Sequence, residues 1–267
     1  MKLPFVCALL LAALPLKGGP LPLSARGATV IDALTGAPLY EKNADEPLYP
    51  ASATKILTAL LVIEAGDLDR HVTIEPADTQ VEPSVIGLKP GDSYTRRQLL
   101  YALMLKSAND AALALARDNA GSVAAFAEKM NRRAVELGAK KSHFDNPHGL
   151  PDPRHTTTPR DLALIARAAM QQPFFRQIVG TVTYPWGART LKNHNKLLWC
   201  PPWKFDGCTG LKTGYTAKAQ QVLVSSALRD GREVIAVVMH SNKPGIWTDS
   251  RALLAYGLAH LTPWPAS

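Results

Sequence analysis

Apolar positions along this chain follow two rhythms, one of strands and one of helices. Residues 27–42 read GATVIDALTGAPLYEK, two short apolar runs around Thr35-Gly36, which predicts a β-hairpin. After Ser52 the spacing changes. Ile56, Leu57, Leu60 and Leu61 mark one helix face, so a helix is expected from the serine to about Ala65. HVTIE at 71–75 reads as a short strand. Gly91-Asp92-Ser93 opens a helical region of three runs, YTRRQLLYALMLKS, NDAALALARDNAG and SVAAFAEKMNRRAVELG, with Gly121 and Gly138 marking ends. The loop HFDNPHGLPDPRHTTTP leads to a helix DLALIARAAMQ, capped by Thr158-Pro159-Arg160-Asp161. Residues 184–199 are predicted to be extended. The last part alternates as strands do: GLKTGYT, then QQVLVSSALRDGREVIAVVMHS folded back at Arg229-Asp230-Gly231, then a helix near 249–261.

Strands, then many helices, then strands predict an α+β fold. Its antiparallel sheet would pair N- and C-terminal strands, flanked by helices, across an all-helical insertion at about 66–200. The 267 residues are 46% hydrophobic and 19% charged, enough for a sizeable core and too apolar for a disordered chain. The opening MKLPFVCALLLAALPLKGGPLPLSARGA has a lysine, a short apolar run and then small residues. It reads as a secretory signal peptide cut near Ala25, leaving residues 26–267 as a single domain. The apolar run is short for a membrane span and Pro4, Pro15 and Pro20 interrupt it, so no stable membrane anchor is expected.

The formal charge of +8 falls to about +6 without Lys2 and Lys17. Basic residues are scattered, with no basic stripe carrying aromatics, so nucleic acid is a poor partner. A mild positive field suits an anionic polymer such as a cell wall. Cys200 and Cys208 are either one disulfide or two partly buried thiols. His143, His148 and His155 sit in a Pro- and Gly-rich loop without ligand spacing, and are read as structural or solvated; no metal is expected.

Candidate chemistry begins with Ser52 and Lys55, one helical turn apart at a helix start. A serine there is an ordinary N-cap. A lysine there is unfavourable, because the helix N-terminus is already positive. The same penalty favours a neutral amine, and a neutral amine beside a hydroxyl is a base beside a nucleophile. Ser-x-x-Lys occurs by chance roughly once in a chain of this size, so the pair decides nothing alone. Two further segments change the odds. Ser107-Ala108-Asn109 lies at a junction of helical runs, where either polar residue could merely cap. Lys212-Thr213-Gly214 heads a predicted strand, and Lys-Thr-Gly arises by chance in only about one such chain in twenty.

With these three motifs in this order, the chain resembles the D-alanyl-D-alanine carboxypeptidases of the low-molecular-mass penicillin-binding proteins. PASATKILTALLVIE, LLYALMLKSANDAALALA, FDNPHGLPDPRHTTTPRDLALIARAAM, NHNKLLW and LKTGYT carry the resemblance, which runs from about Gly27 to Leu261. It implies a β-lactamase/transpeptidase-like fold and no cofactor. It implies peptidoglycan peptides as substrate, β-lactams as inhibitors, and a place in the periplasm or extracellular wall space. Ser52 would be the nucleophile and Lys55 its base, with a pKa depressed by the helix end and by Lys212. Ser107 would pass a proton to the departing amine, and Asn109 would hold the substrate amide and Lys55. Lys212 and Thr213 would bind the terminal carboxylate. Gly214 would let the acyl chain lie close, and the backbone N–H groups of Ser52 and Tyr215 would hold the oxyanion.

Two positions depart from the family pattern. Ala219-Gln220 stands where Ala-Gly is usual, and a turn needing φ > 0 would strain the glutamine. Ile246 stands where many members carry an arginine, with Lys243 the nearest cation. The C-terminal β-domain and amphipathic anchor of many relatives are not expected. A class A β-lactamase would need a deacylating glutamate, and Glu128, the one nearby candidate, is placed on a solvated helix face. A D,D-endopeptidase that cuts cross-links is the closest rival, and a non-catalytic wall-binding relative is a third reading.

Overall fold

A computed structural model describes residues 21–261, so the expected leader lies outside the described residues except for Leu21–Ala25. β1 (Gly27–Asp32) and β2 (Pro38–Lys42) form the first hairpin. β7 (Cys208–Thr216), β8 (Gln220–Arg229) and β9 (Arg232–Ser241) form the last meander. They join in one antiparallel sheet ordered β2-β1-β9-β8-β7, with β1 paired to β9 from Gly27 opposite Met239 to Asp32 opposite Val234. Asp230 and Gly231 both have positive φ, 49° and 73°, as the tight β8–β9 turn requires.

The sheet is buried on both faces, and β9 shows how. Ile235, Val237 and Met239 point into a core shared with the helical layer. Val234, Ala236 and Val238 point into a second core under α7 (Gly245–His260). The helical layer comprises α1 (Lys55–Glu64), α2 (Arg96–Leu105), α3 (Asn109–Ala120), α4 (Val123–Glu136), α5 (Pro159–Met170) and α6 (Pro173–Gly180). Gly121 ends α3 in the left-handed conformation at φ 80°, and Thr158 caps α5 by accepting from the Asp161 N–H.

Three local expectations need correction. Tyr94 and Thr95 belong to β4 (Ser93–Thr95), which pairs with β3 (His71–Thr73), rather than to a helix. Thr95 is instead the N-cap of α2, in a capping box with Gln98. Residues 173–180 form α6, which the sequence reading did not place. The stretch expected to be extended divides into a hairpin, β5 (Thr183–Trp186) with β6 (Arg189–Lys192), and a 3-10 turn at Lys196–Leu198 whose Asn195 side chain accepts from the Leu197 N–H.

The start of the described chain is tied to the last helix. The Asp249 carboxylate accepts from the Ser24 N–H (3.1 Å), the Ser24 hydroxyl (2.8 Å), the Ala25 N–H (2.8 Å) and the Ser241 hydroxyl (3.0 Å).

Candidate active site

Ser52 sits in a 3-10 turn, Ala51–Thr54, that runs directly into α1. It does not cap the helix; no side chain caps either segment. The residue before it, Ala51, is held at φ 47°. That left-handed conformation costs a non-glycine residue about 1 kcal/mol or more, and packing must hold it. The packing partner is Gly149, itself at φ 89°, where a Cβ would overlap the Ala51 carbonyl. Two hydroxyls of the helix start, besides Lys55, hold the loop carrying Gly149. The Thr58 hydroxyl donates to the Pro147 carbonyl (2.7 Å), and Thr54 Oγ1 meets His155 Nε2 at 2.9 Å.

Lys55 opens α1 and is fully buried. Its Nζ lies 2.6 Å from Asn109 Oδ1, 2.7 Å from the His148 carbonyl and 3.2 Å from Ser52 Oγ. A protonated amine would donate three bonds here. A neutral amine keeps two N–H donors for the two short contacts and turns its lone pair on the Ser52 hydroxyl. Electrostatics favour the second form. Burial is the largest cause holding the Lys55 pKa well below the usual lysine value, the Lys212 charge adds to it, and Asp110 opposes it. The sequence argument named Lys212 and the helix end; desolvation outweighs the Lys212 charge.

The second segment follows α2. Ser107 is at φ 62°, and its buried hydroxyl has no hydrogen-bond partner among the described residues. Asn109 does not cap α3. Its Oδ1 is taken by Lys55, and its Nδ2 donates to the Pro83 carbonyl at 2.5 Å. The next residue, Asp110, accepts from the N–H groups of Ile86, Gly87 and Leu88 at 3.1–3.2 Å, fixing the loop that faces Ser107.

The third segment is the edge strand β7. Gly214 lies against the Ser52 turn: a Cβ there would sit 2.9 Å from the Ser52 nitrogen and 3.0 Å from Ala51 Cβ. The glycine is therefore needed for strand-to-turn packing, whatever it does for a substrate. Lys212 is 1% exposed, and burial lowers its pKa to about 7. Its Nζ donates to the Thr213 carbonyl at 2.8 Å.

Ser52, Ser107, Thr213, Gly214 and Tyr215 line one cavity of about 720 Å³. Lys55 and Asn109 are bonded behind Ser52, and Lys212 lies buried between Leu211 and Thr213. The structure thus brings the three segments together. Sequence reasoning missed the His148 carbonyl, because every residue has one and only the fold selects which is used. The His148 ring stays neutral, with burial and Lys55 pushing its pKa to about 3.

Among the described residues no group of three or more His, Cys, Asp or Glu could hold a metal ion. Cys200 and Cys208 are free thiols, and burial pushes Cys208 up to about 11. Glu128 pairs with Arg132 at 3.8 Å on α4 and is 75% exposed, off the cavity. Gln220 has the positive φ feared for it, 54°. Ile246 is buried in the cavity wall, and Lys243 lines the cavity beside it.

A sequence model described as D-alanyl-D-alanine carboxypeptidase matches residues 17–243. The chain is 36% identical over 255 residues to D-alanyl-D-alanine carboxypeptidase DacB2 of Mycobacterium tuberculosis, covering 92% of this chain and 84% of that protein. It is 37% identical over 258 residues to the D-alanyl-D-alanine carboxypeptidase of Streptomyces strain K15, covering 89% and 88%. The crystal structure of the Streptomyces K15 DD-transpeptidase superposes with a TM-score of 0.85 at 36% identity, over 91% of this chain and all of that one.

Proposed function

Because this chain belongs to the D-alanyl-D-alanine carboxypeptidase family, we propose the following residue roles for its cleft. The enzyme is a serine peptidase with D-alanyl-D-alanine carboxypeptidase activity on peptidoglycan. Neutral Lys55 takes the proton of Ser52 as Oγ attacks the carbonyl between the two terminal D-alanines. The N–H groups of Ser52 and Tyr215 receive the oxyanion, each such donor being worth about 3 kcal/mol of barrier. As the intermediate collapses, the proton on Lys55 passes through the Ser107 hydroxyl to the amine of the departing D-alanine. Water then attacks the acyl-enzyme, with Lys55 again the base, and frees the shortened peptide. Asn109 holds Lys55 in line and offers its amide to the substrate. Thr213 and the charge of Lys212 receive the terminal carboxylate.

The observation that carries this is the Lys55 amine, 3.2 Å from Ser52 Oγ, with two short acceptors already filling its donor capacity. Ser107 supports the relay, as its buried hydroxyl has no other partner among the described residues. β-Lactams, which mimic the D-alanyl dipeptide, should acylate Ser52. Activity on peptidoglycan supports the reading of an exported protein that works in the wall space, periplasmic or exterior. Among the described residues no helix is long and apolar enough to cross a membrane.

The test is release of D-alanine from a pentapeptide ending in D-Ala-D-Ala, with a labelled penicillin adduct mapped to Ser52. Adduct without D-alanine release, but with cleavage of cross-linked dimers, makes the enzyme a D,D-endopeptidase. Neither adduct nor product makes it a non-catalytic relative. Fast turnover of penicillin makes it a β-lactamase.

A further inference from the structure

The cavity extends well past Ser52, and its charge is one-sided. Four lysines line it, Lys106, Lys192, Lys196 and Lys243, and no aspartate or glutamate does. Among the described residues none of the four forms an ion pair. Their surroundings hold two of them in place. Lys192 Nζ lies 3.3 Å over the Trp199 ring and Lys196 Nζ 5.9 Å over the Trp247 ring. Trp203 adjoins Trp247 at 6.5 Å between ring centroids, and both line the cavity together with Trp199. A cation held over a ring keeps its N–H donors free for an incoming anion.

On the reading given above, the terminal carboxylate is met by Thr213 and Lys212. That leaves the lysine–tryptophan wall unused, and one carboxylate cannot balance a cavity edged by four further cations. A concave, one-signed site concentrates ligands of opposite charge. We propose that Lys192 and Lys196, over Trp199 and Trp247, form a subsite for a second carboxylate of the substrate, carried by an acidic residue of the peptide beyond the D-alanyl pair. The tryptophans seat the apolar part of that peptide and the ammonium groups take its charge. The preferred substrate class is then an acidic peptide with its side carboxylate free rather than amidated.

The proposal rests on the carboxypeptidase reading, so its test needs one measurement that catalysis does not control. Two synthetic pentapeptides ending in D-Ala-D-Ala, identical except for a free carboxylate or its amide on one side chain, are compared on the purified full chain. Calorimetric affinity is measured alongside D-alanine release. The free carboxylate is expected to favour both affinity and kcat/KM by roughly fivefold at low salt. The preference should fade as ionic strength approaches 1 M. In the Lys192→Gln/Lys196→Gln double variant, which keeps the stems, the ratio should fall toward one. Equal affinity of the two peptides for the wild-type chain overturns the subsite, as does a preference unchanged in the double variant. Absence of D-alanine release with the affinity preference intact overturns the carboxypeptidase reading and leaves the subsite standing.

Discussion

Replacing Gly214 by alanine tests whether the strand and the Ser52 turn act as one rigid unit. The added methyl would lie 2.9 Å from the Ser52 nitrogen, 3.0 Å from Ala51 Cβ and 3.3 Å from the Ala53 nitrogen, whereas ordinary contact begins at 3.4 Å. Two of the three obstacles are backbone atoms, so no side chain can rotate away. The turn must retreat by about half an ångström, carrying Ser52 Oγ off the Lys55 amine. A misplacement of about 1 Å typically costs about a hundredfold in rate, so half of that predicts about a tenfold loss, or about 1.4 kcal/mol of barrier. Overpacking should also lower stability by about 1–3 kcal/mol. The assay is the second-order rate of acylation by a fluorescent penicillin, with Tm measured on the same preparation. Gly231→Ala is the control: unlike Gly214 it has positive φ, 73°, and nothing stands within 4 Å of the added methyl. It should lose stability through backbone strain and keep its acylation rate. If Gly214→Ala acylates within twofold of wild type, the tight seating of β7 on the turn does not position the nucleophile.

Lys55→Met should lower acylation by at least about a hundredfold, since it removes the base; wild-type labelling of Ser52 in that variant would remove the assignment. Lys212, at about 7 in the folded chain against an ordinary 10.5, loses its charge as pH rises past neutrality. KM for a peptide with a free terminal carboxylate should therefore rise above about pH 7, while KM for a neutral C-terminal ester should not. The same depression makes the unfolded chain bind more protons between pH 7 and 10.5. Lys212 thus costs stability in full below about pH 7 and progressively less toward 10.5, and Lys212→Met should flatten the rise of stability across that window in urea titrations. Gln220→Gly should raise Tm by a few degrees, because about 1 kcal/mol of left-handed strain is relieved at the β7–β8 turn; a lower Tm would mean the Gln220 bond to the Ala217 carbonyl outweighs the strain. Asp249→Ala should cost about 3 kcal/mol in a denaturant melt, since four donors from Ser24, Ala25 and Ser241 lose one acceptor.

Much of the fold was legible where local chemistry and global packing agree. Asp230-Gly231 named its turn, Gly121 its helix end, and Thr158-Pro159 its helix start, because each residue type is itself the cause. α6 escaped because it is eight residues long and rich in β-favouring Phe, Ile and Val; it forms because Phe175, Ile178 and Val179 bury against the core. The spacing of its neighbours puts Tyr94 on a helix, yet it stacks on Trp186 at 4.9 Å from the middle of a two-stranded ribbon. At the site, the three motifs and the resemblance they carry pointed to Ser52, Lys55, Ser107, Asn109, Lys212, Thr213 and Gly214, and the resemblance alone to the Tyr215 N–H. What stayed hidden was burial. No spacing rule says that Lys55 and Lys212 would both be sealed from water, and that sealing is the largest cause of both shifts. The two-sided burial of β9 was equally invisible, since a continuous apolar run does not say how many layers cover it.

That strand bears on how the molecule is made. β9 stands between β1 and β8, so the hairpin that begins the sheet has no neighbour until some two hundred residues later. Gly214, which seats the Ser52 turn, comes equally late. A ribosome releasing this chain from its N-terminus therefore delivers the nucleophile long before anything can shape it. Pairings of such wide sequence separation make assembly slow, and a truncated product lacking the final meander carries every residue of the first two motifs with no enzyme to show for them.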